Sequence, residues 1–272
     1  MRRWTLDDIA WDRFAASKVD PDLLKIAKAA SMVEYNAGEY AAYLGLVFHD
    51  DPKFKDEAVR WAAEEVRHGK ALARWSTMAD PDFDFEASFK RFAETITLPT
   101  GTDESIRGSR TGELIARCIV EVGTSSYYSA IADVCEEPVL RQICRNVAAD
   151  EIRHFKLFRK TMEKYEIDEP LSLLSRVRIV IGRLGETEDD ELAFAYYTAN
   201  HADDGPYDNE RHGNEYKKRA YACYRHPHVK RMAAMVFKAV GLKPTGLLSR
   251  GAARIGYAVL RRQARRAAAA TA

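Results

Sequence analysis

The chain has 272 residues, 46% of them hydrophobic, which suits one large domain or two small ones with a real core. Net charge is +1 but uneven: the first 215 residues hold 28 basic against 41 acidic side chains, and residues 216–272 hold 14 Lys and Arg and no acid. No run of about 18 uncharged apolar residues occurs, which argues against a membrane-spanning helix.

The opening "MRRWTLDDIAWDR" has two arginines but no apolar core after them, so no signal peptide is expected there. Cys118, Cys135, Cys144 and Cys223 form no CxxC pair and read as free buried thiols of a reducing cytoplasm. Helical signals dominate, and strand signals are scarce. The first helix is expected over residues 22–48, with Leu23, Ile26, Ala30, Val33, Ala37 and Tyr40 at steps of three and four, starting at "DPD". The second is expected over 53–78. A connection over 80–107 follows, carrying a short helix over 85–95 and closed by "LPTGTDES". The third is expected over 111–135, and Pro138 opens a fourth that runs to Tyr165. Residues 21–166 thus read as two helical pairs. Residues 1–186 are expected to form a four-helix bundle, and 187–272 a basic helical extension packed on it. Near the end, Leu248, Ala252, Ile255 and Val259 share one face while Arg250, Arg254, Arg261 and Arg265 fall largely elsewhere: a basic amphipathic helix with a frayed, alanine-rich finish.

One phrase occurs twice. Glu64-Glu65-Val66-Arg67-His68 is matched by Asp150-Glu151-Ile152-Arg153-His154, 86 residues later. A glutamate and a histidine three apart lie on one helix face and can bind one metal together. A lone copy would read as a solvated charged face, but each copy follows a helix with an acid in an apolar stretch: Glu34 in "AASMVEYNAG" and Glu121 in "ARCIVEVGTS". Glu34 precedes Glu65 by 31 residues and Glu121 precedes Glu151 by 30, which suits antiparallel hairpins. Four carboxylates in a helical core would repel and desolvate at a cost of several kcal/mol each. Two divalent cations cancel those charges and leave two neutral imidazoles as ligands. A Glu from each of two helices and a Glu-x-x-His from each of the other two is the composition of a di-metal carboxylate bundle. Glu39 is the rival first ligand, although its spacing to Glu65 breaks the symmetry. Glu64 and Asp150 stand four residues before His68 and His154. Ligating imidazoles usually donate their second N–H to a carboxylate, so Asp150 is expected to hold His68, and Glu64 to hold His154, across the bundle.

These residues resemble the ferritin-like di-iron carboxylate proteins. Within them the chain is most similar to the soluble acyl-carrier-protein desaturases, whose motifs EENRHG and ADEKRH compare with "EEVRHG" at 64–69 and "ADEIRH" at 149–154. Trp61 and "EKYEID" at 163–168 extend the likeness, which covers about residues 20–170. The resemblance implies an all-α, ferritin-like four-helix bundle with additional C-terminal helices. It implies Glu65 and Glu151 as bridging ligands, Glu34 with His68 on one iron and Glu121 with His154 on the other. It implies Thr124 beside the oxygen site, O2 and an external electron donor as partners, an acidic acyl carrier protein as the substrate's carrier, and a homodimer. The residues leave manganese or a mixed pair open. The chain departs from the family in being shorter, with Tyr127 and Tyr128 after Thr124.

The leading reading is a di-iron oxidase that attacks an unactivated C–H bond in the cytoplasm. Oxygenation of a small metabolite uses the same ligands. Ferroxidase or peroxidase chemistry is the rival class, although neither a two-CxxC module nor a single-motif ferritin pattern is present. A third class is a surface-binding metalloprotein that contacts a membrane peripherally through 246–266. The basic end has an acidic carrier, an anionic surface, or the acidic bundle itself as its reading. Nucleic acid is not an expected partner, since "GYAVLRRQARR" lacks aromatic interleaving. His201, His212, His226 and His228 read as surface histidines.

Overall fold

The computed structural model describes residues 3–97, 103–186, 190–201 and 205–271; residues 98–102 of the expected "LPTGTDES" connection, and 187–189 beside the expected domain boundary, lie outside them. Among the described residues every regular element is helical. Three short 3₁₀ turns, Leu6–Asp8, Trp11–Arg13 and Ala16–Lys18, precede α1 (Pro21–Tyr35), α2 (Ala37–Val47), α3 (Pro52–Ala79) and α4 (Phe85–Thr95). They are followed by α5 (Arg110–Val134), α6 (Pro138–Tyr165), α7 (Leu173–Glu186), α8 (Asp190–Asn200), α9 (Asn209–Ala222), α10 (His226–Ala239) and α11 (Leu247–Ala270).

Local chemistry sets the helix starts. Pro21, Pro52 and Pro138 occupy first helical positions, where a missing N–H costs nothing. Before them, Asp20 accepts from the N–H of Asp22 and Leu23, Asp51 from Phe54, and Glu137 from Leu140. Ser109 does the same for Gly112 at the start of α5. The helix expected over 22–48 is broken at Asn36, whose N–H is shared between the carbonyls of Met32 and Val33 at 3.1 and 3.3 Å. Asn36 and Gly38 are weak helix formers, and the break falls one half-turn beyond Glu34.

The bundle consists of α1 with α2, α3, α5 and α6. Its apolar interior is two cores rather than one. The first takes Ile26 and Met32 from α1, Leu72 and Trp75 from α3, Tyr128 and Ile131 from α5, and Ile143 and Val147 from α6. The second takes Tyr43 and Leu44 from α2, Phe54 and Trp61 from α3, Ile115 and Ile119 from α5, and Phe155 and Phe158 from α6. Followed in chain order, α1 and α6 run from the first core to the second, while α3 and α5 run from the second to the first. The chain is therefore all-α and ferritin-like: two antiparallel hairpins joined by the long 80–109 crossover. α8 packs on α1 and α10 on α5, with α9 and α11 outside them.

Two expectations about the C-terminal part need correction. His212 and His228 are buried, not on the surface. Each sits in the first turn of a helix, where its Nδ1 accepts the N–H of Asp208 and of Arg225 at 3.1 and 3.0 Å. Of the four, only His226 is exposed, and His201 is partly covered beside Glu215. The alanine-rich finish is helical to Ala270, in keeping with alanine's helix propensity.

Candidate metal centre

Between the two cores lies one polar layer. In each bundle helix the change from one core to the other occurs at a candidate ligand: Glu34 on α1, Glu65 and His68 on α3, Glu121 on α5, Glu151 and His154 on α6. All six side chains are buried. They form two overlapping sets, Glu34, Glu65, His68 and Glu151, and Glu65, Glu121, Glu151 and His154, with potential ligand atoms within 4.8 Å of one another in each set. Glu65 and Glu151 belong to both sets, so their carboxylates are placed to be shared by two ions.

Both imidazoles present Nδ1 to the layer. His68 Nδ1 lies 2.9 Å from Glu65 Oε2, 3.4 Å from Glu34 Oε2 and 3.3 Å from Glu151 Oε1. His154 Nδ1 lies 2.9 Å from Glu65 Oε1 and 3.4 Å from Glu121 Oε2. The other ring nitrogens face outward to acids of the opposite helix: His68 Nε2 is 3.1 Å from Asp150 Oδ2, and His154 Nε2 is 3.0 Å from Glu64 Oε2. Those two acids are pinned in turn. Asp150 accepts from Trp4 Nε1 at 2.9 Å and Arg67 at 3.1 Å, and it also pairs with Arg153. Glu64 pairs with Arg153 at 2.9 Å and with Arg3 at 2.5 Å. The Trp4 indole stacks parallel to the His68 ring at 5.8 Å.

The layer calls for positive charge. Burial, reinforced by the charge of Glu65, lifts Glu34 to about 7. Burial together with neighbouring carboxylates also raises Glu121 and Glu151. Glu65 goes the other way: burial opposes its charge, but His154 and His68 outweigh that and hold it well below the usual range. Burial alone would lower both imidazoles, yet Glu65 and the surrounding acids raise them well above 6.5. Three buried atoms, Glu121 Oε2, Glu151 Oε1 and His154 Nδ1, face this layer without a hydrogen-bond partner. Unpaired buried polar atoms are costly, and a cation in each set would give each of them a partner. Four carboxylates and two imidazoles form a donor set suited to iron or manganese. The residues fit a pair of divalent ions.

Thr124 lies at the edge of this layer, its hydroxyl 2.5 Å from Glu151 Oε2 and also 3.1 Å from the carbonyl of Val120, four residues back. Glu39 is exposed, away from the layer. Four contributors escaped the sequence reading. Tyr128 donates to Glu34 Oε1 at 2.5 Å. Trp4 and Arg3 come from an N-terminal segment with no periodicity to flag it. Gly69, next to His68, allows the close approach of α1: a Cβ there would lie 2.7 Å from Tyr35 N and 2.8 Å from Ser31 O. Its place directly after the motif histidine was the available signal.

No helix among the described residues is long and apolar enough to cross a membrane. No curated protein matches the chain. The family model for fatty acid desaturases matches residues 50–181, which takes in Glu65, His68, Glu121, Glu151 and His154 but begins after Glu34. Buried carboxylate–imidazole sets able to hold metal, on a ferritin-like bundle similar to fatty acid desaturases, support a desaturase-like oxidase.

Proposed function

We propose that the protein is an O2-dependent di-iron oxidase that removes two hydrogens from adjacent carbons of an acyl chain, carried to it on an acidic acyl carrier protein. The observation that carries this reading is the pair of ligand sets sharing Glu65 and Glu151, within a chain similar to fatty acid desaturases. Overall, O2, two external electrons and two protons are consumed with the two substrate hydrogens, giving an alkene and two waters. When bound, the irons would supply the O2 activation that protein side chains cannot.

The chain's own contribution is geometric and electrostatic. Glu64 and Asp150 accept the Nε2 protons of His154 and His68, which fixes each ring with its Nδ1 lone pair inward. Trp4, Arg3, Arg67 and Arg153 keep those two acids oriented and ionised. Tyr128 holds Glu34 through Oε1 and leaves Oε2 facing His68. Thr124 can hold or pass a proton at Glu151 Oε2. Two apolar cores keep bulk water from the layer.

The test is turnover. Iron-loaded protein, an electron donor, O2 and saturated acyl chains on carrier protein should yield chains two mass units lighter. Oxygen-bearing products would point to an oxygenase instead. O2 consumption driven by free Fe(II), with no change in any acyl substrate, would favour a ferroxidase.

A further inference from the structure

The amphipathic helix α11 docks by a face beside, not along, the apolar one its sequence suggests. Its buried positions are the small residues Ser249, Ala253 and Ala267, and Gly256 brings it against Val229 of α10, where a Cβ would meet Val229 Cγ1 at 3.4 Å. Its large aliphatic residues point away from the protein: Leu247 is 79% exposed, Leu248 75%, Ile255 67% and Val259 50%. Leu248, Ile255 and Val259 recur at steps of seven and four, so they form one stripe along the helix. Isolated exposed leucines need no explanation, but an ordered outward stripe on a helix already anchored along a neighbouring face does.

The rest of the solvent-facing arc is arginine. Arg250, Arg254, Arg261, Arg262, Arg265 and Arg266 are all exposed, and none has an ion-pair partner among the described residues. Arg254, Arg261 and Arg265 follow the stripe along one flank, while the protein body lies along the other. Aliphatic residues in the middle and arginines beside them match an interface in which acyl chains lie below a layer of negative charge. A second copy of the chain is a poor occupant. α11 holds no acidic residue, so a two-fold contact along it would bring two arginine rows together.

We propose that α11 is a monotopic membrane anchor: it lies in the surface of an anionic bilayer, with Leu248, Ile255 and Val259 among the acyl chains and the arginine flank at the lipid phosphates. This inference does not depend on the chemistry of the metal layer.

The test is co-sedimentation of the full chain with vesicles of phosphatidylcholine, with and without phosphatidylglycerol. Binding should need the anionic lipid and weaken with salt. Each arginine changed to glutamine (Arg254, Arg261, Arg265) should lower partitioning about fivefold. The double variant Leu248→Asp/Ile255→Asp should lower it at least about tenfold. All these positions are exposed, so circular dichroism and metal content should be unchanged and would expose any misfolded variant. Equal binding to both vesicle types, or to neither, overturns the proposal. So does anionic-vesicle binding that survives Leu248→Asp/Ile255→Asp, because charge alone would then hold the helix. Light scattering that shows a dimer abolished by the same double variant, with no vesicle binding, would assign the stripe to a second copy.

Discussion

Glu34→Gln should make the metal-free protein more stable and the metal-bound protein less so. In the metal-free bundle the Glu34 carboxyl is buried, beside Glu65, and held at about 7 rather than 4.5. A folded-state value raised this way costs nothing below the unfolded value, and its full cost is reached above the folded one. At pH 7 the linkage corresponds to up to about 3 kcal/mol against folding. Glutamine keeps an acceptor for the Tyr128 hydroxyl and removes the charge, so most of that cost should disappear. For a chain of this size that is about 5 °C in melting temperature, measured by calorimetry in chelator at pH 7.5. With saturating Fe(II) or Mn(II) under anaerobic conditions the order should reverse, because a site lacking one carboxylate gains less from binding. The reasoning fails if the variant melts lower than the parent in chelator, or if metal raises both melting points equally.

Gly69→Ala should destabilise the fold by about 1–3 kcal/mol by denaturant titration, since the new Cβ meets backbone atoms of Tyr35 and Ser31 rather than movable side chains. Asp51 gives a pH signature. Burial pushes its carboxyl up, but Lys164, the Phe54 N–H and the Tyr165 hydroxyl outweigh that and hold it below its usual value. Its stabilisation is therefore full above the ordinary carboxylate range and lost as pH falls through the depressed folded value. Asp51→Ala should cost about 1–2 kcal/mol at pH 7 and progressively less in acid, read from urea melts across pH. Trp4→Phe keeps the ring over His68 but removes the donor to Asp150; it should cost about 1 kcal/mol and weaken metal retention against a chelator. Unchanged retention would mean that Arg67 and Arg153 suffice to hold Asp150.

What was readable in the sequence was whatever repeats. α4 and α6 begin and end where periodicity and the flanking Asp and Pro residues place them, because helix caps are local chemistry. The doubled phrase gave Glu65, His68, Glu151 and His154, and the acids set in the apolar stretches before each copy, Glu34 and Glu121, complete the six that the fold brings into one layer. Features resting on a single long-range contact left no such trace. The break at Asn36 was hidden because the apolar rhythm runs on through Ala37 into α2, which keeps facing the core. Trp4 reaches Asp150 across 146 residues of chain, and nothing near Trp4 indicates that. His212 and His228 looked like loop residues in polar surroundings because their role, accepting a backbone N–H in the first helical turn, is usually played by Ser, Asp or Glu. On α11 the apolar periodicity was real, but periodicity alone does not say which face meets the protein.

The charged layer between the two cores also fixes the axial alignment of the helices. Apolar side chains above and below it would tolerate one helix sliding past its neighbours, since leucine, valine and alanine replace one another at modest cost. A slide of one turn, about 5.4 Å, would instead carry a carboxylate out of the layer and into an apolar core. Ions held there would fasten four helices at a common height, as a buried polar residue sets the register of a coiled coil. On this reading the layer that equips the bundle for chemistry is also its ruler, and without ions the bundle should keep its helices more readily than their alignment.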